Sequence, residues 1–162
     1  MYQDIVYLAP QEEPMGEASN TSEFSHLDYY DLPSADLKGY ICMIIPGSVD
    51  QEFMWKNRQI VRDFLDEGKI VVFGGHLFRP WLPGAGLFVP VKIRTHHDYH
   101  LTPCDPHHPF FEGVELYDLT YRKGVAGFYA RGYHPMPEGA EPLMQLPGGE
   151  PTMYIDRVST RG

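Results

Sequence analysis

Apolar and polar positions are distributed differently in the two halves of the chain. Up to residue 74 the apolar runs are continuous and separated by polar stretches. The run GYICMII (39–45), bounded by Gly39 and Pro46, has the pattern of a parallel strand covered on both faces. KIVVF (69–73) repeats that pattern, and DIVYLA (4–9) reads as a shorter buried strand. SHLDYYDL (25–32) reads as a further strand, and the polar, turn-rich QEEPMGEASNTSE (11–23) as a surface loop or a weak helix. Between the two long runs, Val49, Phe53, Ile60, Val61, Phe64 and Leu65 recur at helical spacing. Ser48, with Gln51 three residues on, forms a capping-box start, and Gly68 supplies the C-terminal stop. Residues 39–73 therefore predict a strand–helix–strand unit with parallel strands and a right-handed crossover.

Past Gly74 the pattern shortens. Most of the 15 prolines and 16 glycines fall there, which predicts short strands joined by loops, with little helix. The candidates are LFVPVKIRT (87–95), VELYDL (114–119), GVAGFYARGY (124–133), EPLMQL (141–146) and TMYIDRVS (152–159). Pro90 places the first of them at an edge or a bulge. HPFFEGV (108–114) reads as a turn, with His108 capping backbone groups and Phe110 and Val114 in the core. The whole predicts one α/β domain over residues 1–162, a three-layer sandwich with a mainly parallel central sheet and a strand-rich second half.

Composition narrows the function classes. Hydrophobic residues make up 43% and charged residues 22%, ordinary values for a globular protein. No apolar run approaches the roughly 20 residues of a membrane span. The N-terminal MYQDIVYLAP carries an acid where a signal peptide carries basic residues, so a cytoplasmic protein without a membrane partner is expected. The formal net charge of −9 argues against nonspecific nucleic-acid binding. Cys42 and Cys104 are too few for a disulfide framework, and reduced thiols are expected.

The candidate chemistry starts at KIVVFGGHLFRPWLPG (69–84), where a buried strand breaks at two glycines and His76 follows at once. In open parallel sheets ligands gather outside the carboxyl ends of the strands. Two such ends follow one another here, IIPGS (44–48) and VVFGGH (71–76). This pair resembles the class I glutamine amidotransferase-like superfamily, a flavodoxin-like fold. The phrases DLPSADLKGYICMIIPGSVD and VRDFLDEGKIVVFGGH are similar to that family's approach to its oxyanion loop and its nucleophile elbow. HPFFEGV, GFYARGYHPMPEGAEPLMQL and PTMYIDR resemble the ThuA-like branch, whose members commonly lack the nucleophilic cysteine. The resemblance implies an oxyanion-type loop at Gly47 and Ser48, an elbow at Gly75 and His76, and a last strand and helix that residues up to Gly162 do not supply.

The departures set the expected function. Amidotransferase chemistry needs an elbow thiolate, activated by a histidine that a carboxylate orients. No cysteine lies between Gly74 and Trp81, and no histidine is followed two residues later by glutamate. Glutamine amidotransferase activity is therefore not expected. The first reading is a non-catalytic amidotransferase-like domain that binds a small ligand, through Gly47, Ser48, Gly75, His76 and Arg79, or a protein partner. It needs no cofactor, and homo-oligomers are expected because many proteins of this architecture self-associate. The alternative is a hydrolase or isomerase on a sugar-like substrate, with His76 as catalytic base and a metal as helper. THHDYHLTPCDPHH (95–108) offers weak metal candidates in His96, His97, His100, Cys104, His107 and His108, although their spacing matches no established zinc pattern. For His76 the plainer reading is a space-filling ring on a backbone group; for Arg79, a surface salt bridge; for Trp81, loop packing. Glu112, Glu115 and Asp118 read as a solvated acidic face, and Tyr117, Tyr121, Tyr129 and Tyr133 as rings packed on the sheet or stacked on a ligand.

Overall fold

A computed structural model describes residues 2–10, 23–121, 125–127 and 129–162. The chain forms two compact units, Met1–Pro83 with Ser159–Gly162, and Gly84–Val158. It is a mixed α/β protein with one four-stranded parallel sheet and two small antiparallel sheets.

The first unit is built on β1 (Tyr2–Leu8), β2 (Phe24–Leu27), β3 (Cys42–Pro46) and β4 (Ile70–Gly74). They run parallel in the order β2-β1-β3-β4. Pairing of Val6 with Met43, and of Met43 with Val71, puts these side chains on one face. On that face Val6, Leu8, Met43 and Ile45 are fully buried. The opposite face differs from the expectation of strands covered on both sides. Cys42 and Ile44 are half-buried, and Ile70 and Val72 on the edge strand are 55% and 46% exposed. The stretch 11–23 lies outside the described residues up to residue 22, so the expectation for it has no counterpart here. The proposed strand 25–32 ends at Leu27. Asp28 then accepts the Tyr30 N–H and caps a 3-10 helix over Tyr29–Ser34 that buries Tyr29 and Leu32.

The expected helix is present in two pieces, α1 (Gln51–Lys56) and α2 (Arg58–Asp66), which meet at Asn57. Met54, Val61, Phe64 and Leu65 are its buried stripe, Val49 is buried just before it, and Gly68 closes it at φ +80°. Its start is not Ser48. Asp50 is the N-cap, and its Oδ1 accepts the N–H groups of Glu52 and Phe53 at 3.0 Å. The Tyr30 hydroxyl donates to Asp50 Oδ2 at 3.2 Å. Asp50 wins over Ser48 because one carboxylate serves two helix amides and a distant tyrosine together.

The second unit is more fragmented than the pattern suggested. Of the run 87–95 only β5 (Val89–Pro90) is a strand; it pairs antiparallel with β8 (Gly132–Tyr133), leaving Pro90 at an edge. β6 (Thr102–Pro103), β9 (Glu141–Gln145) and β10 (Pro151–Ile155) form an antiparallel sheet in the order β10-β9-β6. VELYDL is not a strand: Leu116–Tyr121 is helix α3, followed by the two-residue β7 (Val125–Ala126). Leu101, Phe111, Ala130, Leu143, Met144 and Leu146 form the core. Phe111 enters it where Phe110 and Val114 were expected; those two are 53% and 42% exposed.

The Phe53 amide, with the Tyr30 hydroxyl and the Glu52 amide assisting against partial burial, holds the Asp50 carboxyl below its usual value. A depressed folded-state value stabilises the protein above the unfolded value, and this contribution is lost as pH falls through the folded one. Asp50→Ala should cost about 1 kcal/mol at neutral pH, the usual loss on removing a cap. The difference from wild type should shrink on acidification, as read by urea unfolding at both ends of the pH range.

Candidate functional site

The candidate site is the carboxyl edge of β3 and β4. Their register makes Pro46 and Gly74 direct partners, so both strands end level and both chains turn at the same height. The two turns touch through backbone. A Cβ on Gly75 would lie 2.4 Å from the Gly47 Cα, and one on Gly47 would lie 2.8 Å from the Gly74 carbonyl oxygen and 2.9 Å from the Gly75 Cα. None of Gly47, Gly74 and Gly75 is among the glycines of positive φ. Glycine is required here by the closeness of two chains, not by a special dihedral. The sequence thus placed two glycine turns at one crest, and the structure brings Gly47, exposed Ser48, Gly75 and exposed His76 together there.

The loop after the crest is held by one side chain the sequence reading assigned elsewhere. Gln51 does not close a capping box. Its Nε2 donates to the His76 carbonyl at 2.7 Å, and its Oε1 accepts the Phe78 N–H at 2.7 Å and the Arg79 N–H at 3.2 Å. The Trp81 indole N–H points at the same oxygen from 3.4 Å. The amide of Gln51 thereby substitutes for a missing backbone strand beside residues 76–81. Arg79 makes an ion pair and a hydrogen bond with Glu52, both side chains being about half exposed. Trp81 is buried and stands edge-on to Phe73 at 4.9 Å. The plainer readings of Arg79 and Trp81 describe what these two side chains do. His76 leaves its ring at the surface, edge-on to Phe78 at 6.1 Å, and Phe78 is itself 61% exposed.

The first unit's one cysteine lies away from this crest. Cys42 is the first residue of β3, at the opposite end of the strand from Gly47. Burial, with a smaller contribution from Asp4, pushes its thiol up, away from the thiolate form. Two histidines do have an aspartate two residues on, His26 with Asp28 and His96 with Asp98. Both carboxylates cap backbone amides, Asp28 for Tyr30 and Asp98 for Arg94 and Thr95.

The histidine-rich stretch belongs to the second unit. His96–Tyr99 is a single 3-10 turn, and the amides of Arg94 and Thr95 hold Asp98 below its usual value. The rings of His96 and His100 pack around Tyr121 at 5.8 and 6.3 Å. Cys104 faces Gln145, and burial pushes its thiol up. Asp105 accepts the His107 N–H. Among the described residues no group of three or more His, Cys, Asp and Glu side chains is arranged to hold a metal ion. His108 caps its turn, as the sequence suggested, with Nδ1 accepting the Phe110 N–H at 3.1 Å. Its Nε2 lies 3.1 Å from Glu141, which also binds Arg157 at 2.7 Å. Sequence reasoning had singled out neither Glu141 nor Arg157. Glu112, Glu115 and Asp118 are exposed, and Tyr117 and Tyr121 stack on each other at 4.9 Å.

No family model, curated protein or solved structure matches this chain. No helix among the described residues is long and apolar enough to cross a membrane.

The crest geometry makes two predictions. Gly75→Ala should cost about 1–3 kcal/mol, the range for overpacking, because backbone rather than a flexible side chain occupies the space; chemical denaturation measures it. Gln51→Glu should free the 76–81 loop at neutral pH, where a carboxylate cannot donate to the His76 carbonyl, and restore it in acid, where the protonated side chain can. Amide spectra of residues 76–81 across the pH range would show that recovery, and Gln51→Leu should show none.

Proposed function

We propose that this protein is a non-catalytic amidotransferase-like domain, on a flavodoxin-like three-layer plan, that binds a small ligand at the crest of Gly47, Ser48, Gly75 and His76. One observation carries the reading: two glycine turns in backbone contact at the carboxyl edge of adjacent parallel strands, with the unit's only cysteine at the far end of β3. Such a crest offers main-chain groups and an exposed imidazole to a polar ligand, and its own turns carry no cysteine for the thiolate that amidotransferase chemistry uses. The order β2-β1-β3-β4 supports the flavodoxin-like plan; it reverses between β1 and β3, so the Gly47 turn that ends β3 borders that switch point. Arg79, neutralised by Glu52, shapes the loop beside the ligand. Self-association belongs to the same reading, supported by the uncovered aliphatic side chains Ile41, Ile70 and Val72. The free thiols of Cys42 and Cys104 suit a cytoplasmic location.

The test is a small-metabolite screen read by backbone amide shifts. Binding should perturb Gly47, Ser48, Gly75 and His76 together, and His76→Ala should weaken it roughly tenfold, the scale of one lost hydrogen bond, at unchanged stability. No ammonia should be released from glutamine. Glutamine hydrolysis by wild type would overturn the reading, and stoichiometric zinc, nickel or manganese in protein purified without a histidine tag would favour a hydrolase or isomerase instead.

A further inference from the structure

We infer that His108 is a proton-operated cap: a proton taken up by its ring breaks the hydrogen bond that starts the 109–111 turn, so acidification loosens the segment seating Phe111 in the core of the second unit.

The inference rests on how both ring nitrogens are used. Nε2 lies 3.1 Å from Glu141 Oε1. An ionised carboxylate can only accept, so Nε2 carries the hydrogen. Nδ1 accepts the Phe110 N–H at 3.1 Å and is therefore the lone-pair nitrogen. A second proton can add only at Nδ1, where it would face another N–H. Capping and protonation exclude each other.

The surroundings decide which survives. Glu141 on β9 holds Arg157 through its other oxygen at 2.7 Å. Arg157 first, with His108 assisting, keeps the Glu141 carboxyl below its usual value, so the anion persists throughout the range in which imidazoles titrate. Charge-assisted hydrogen bonds are roughly twice as strong as neutral ones, so protonation strengthens the pair with Glu141 while the neutral cap is lost. Further ionisable groups lie along the same segment. The Asp105 carbonyl accepts the His108 N–H, its carboxylate accepts the His107 N–H, and Glu112 borders the same opening. That opening, a cleft of about 340 Å³ lined by Pro106, His107, His108, Pro109, Phe111 and Glu112, admits water to the ring. The turn it would release places Phe111, 6% exposed, among Leu101, Ala130, Leu143, Met144 and Leu146.

The experiment is a pH titration of the isotope-labelled full chain by NMR, from about pH 8 to about pH 5, spanning the usual imidazole range. Above the midpoint the His108 ring nitrogens should report the Nε2–H tautomer. The Phe110 amide shift should move with the His108 midpoint, and its protection from exchange should fall roughly tenfold as the bond is lost. His108→Asn supplies a cap that does not titrate and should abolish the Phe110 step. In Glu141→Gln, which removes the anion, the Phe110 step should still coincide with the His108 ring signals. An Nδ1–H tautomer in neutral wild type, a Phe110 amide that stays fixed while His108 titrates, or a step that survives in His108→Asn would overturn the inference. Should His108→Asn fail to fold, the tautomer and the Phe110 amide of the wild type decide it together.

Discussion

The first unit depends on a backbone-to-backbone contact. Gly47 and Gly75 approach so closely that neither can carry a Cβ, and this closeness follows from two parallel strands ending in register. Strand pairing fixes the height of the two turns, and the absence of side chains lets them meet. What is exposed at the crest is therefore main chain, with Ser48 and His76 at its margin. A surface of this composition presents hydrogen-bonding groups rather than bulk hydrophobicity.

Adjacent residues at the start of α1 divide the work of supporting that crest. Asp50 satisfies the first helix amides and fastens the Tyr30 hydroxyl. Gln51 turns the other way and satisfies the loop that follows the crest. Glu52 neutralises Arg79 at the same level. The helix start thus joins the 3-10 helix on one side to the glycine turn on the other. The network is long-range, and its hydrogen bonds tie residues 30, 50–52 and 76–81 together.

The legible parts of this fold were those set by long local patterns. The β3–helix–β4 unit was readable because two continuous apolar runs flank a helical stripe that Gly68 ends. The second unit resisted because its elements are two to six residues long, too short for one period to exclude another. In α3 the inward Leu116, Leu119 and Thr120 do follow helical spacing, yet six residues of VELYDL fit alternation equally well. At the helix start Ser48 and Asp50 are both good caps, and a tyrosine 20 residues away decided between them. The two glycine turns of the crest could be seen because glycine marks itself. Gln51 could not, since its partners lie 25 and more residues downstream. The same holds for Glu141, which reaches His108 only once β9 is folded, and for Arg157, which pairs with Glu141.

The burial of Trp81 gives the molecule an internal optical reporter. The chain has two tryptophans. Trp55 is partly exposed beneath the Arg58 guanidinium, whereas Trp81 is 1% exposed, edge-on to Phe73, with its indole N–H directed at Gln51. Their emission should therefore separate into a red, quenchable component and a blue, shielded one. The blue component belongs to the loop that follows the crest, so a change in how that loop sits is written directly into the intrinsic fluorescence, without a label.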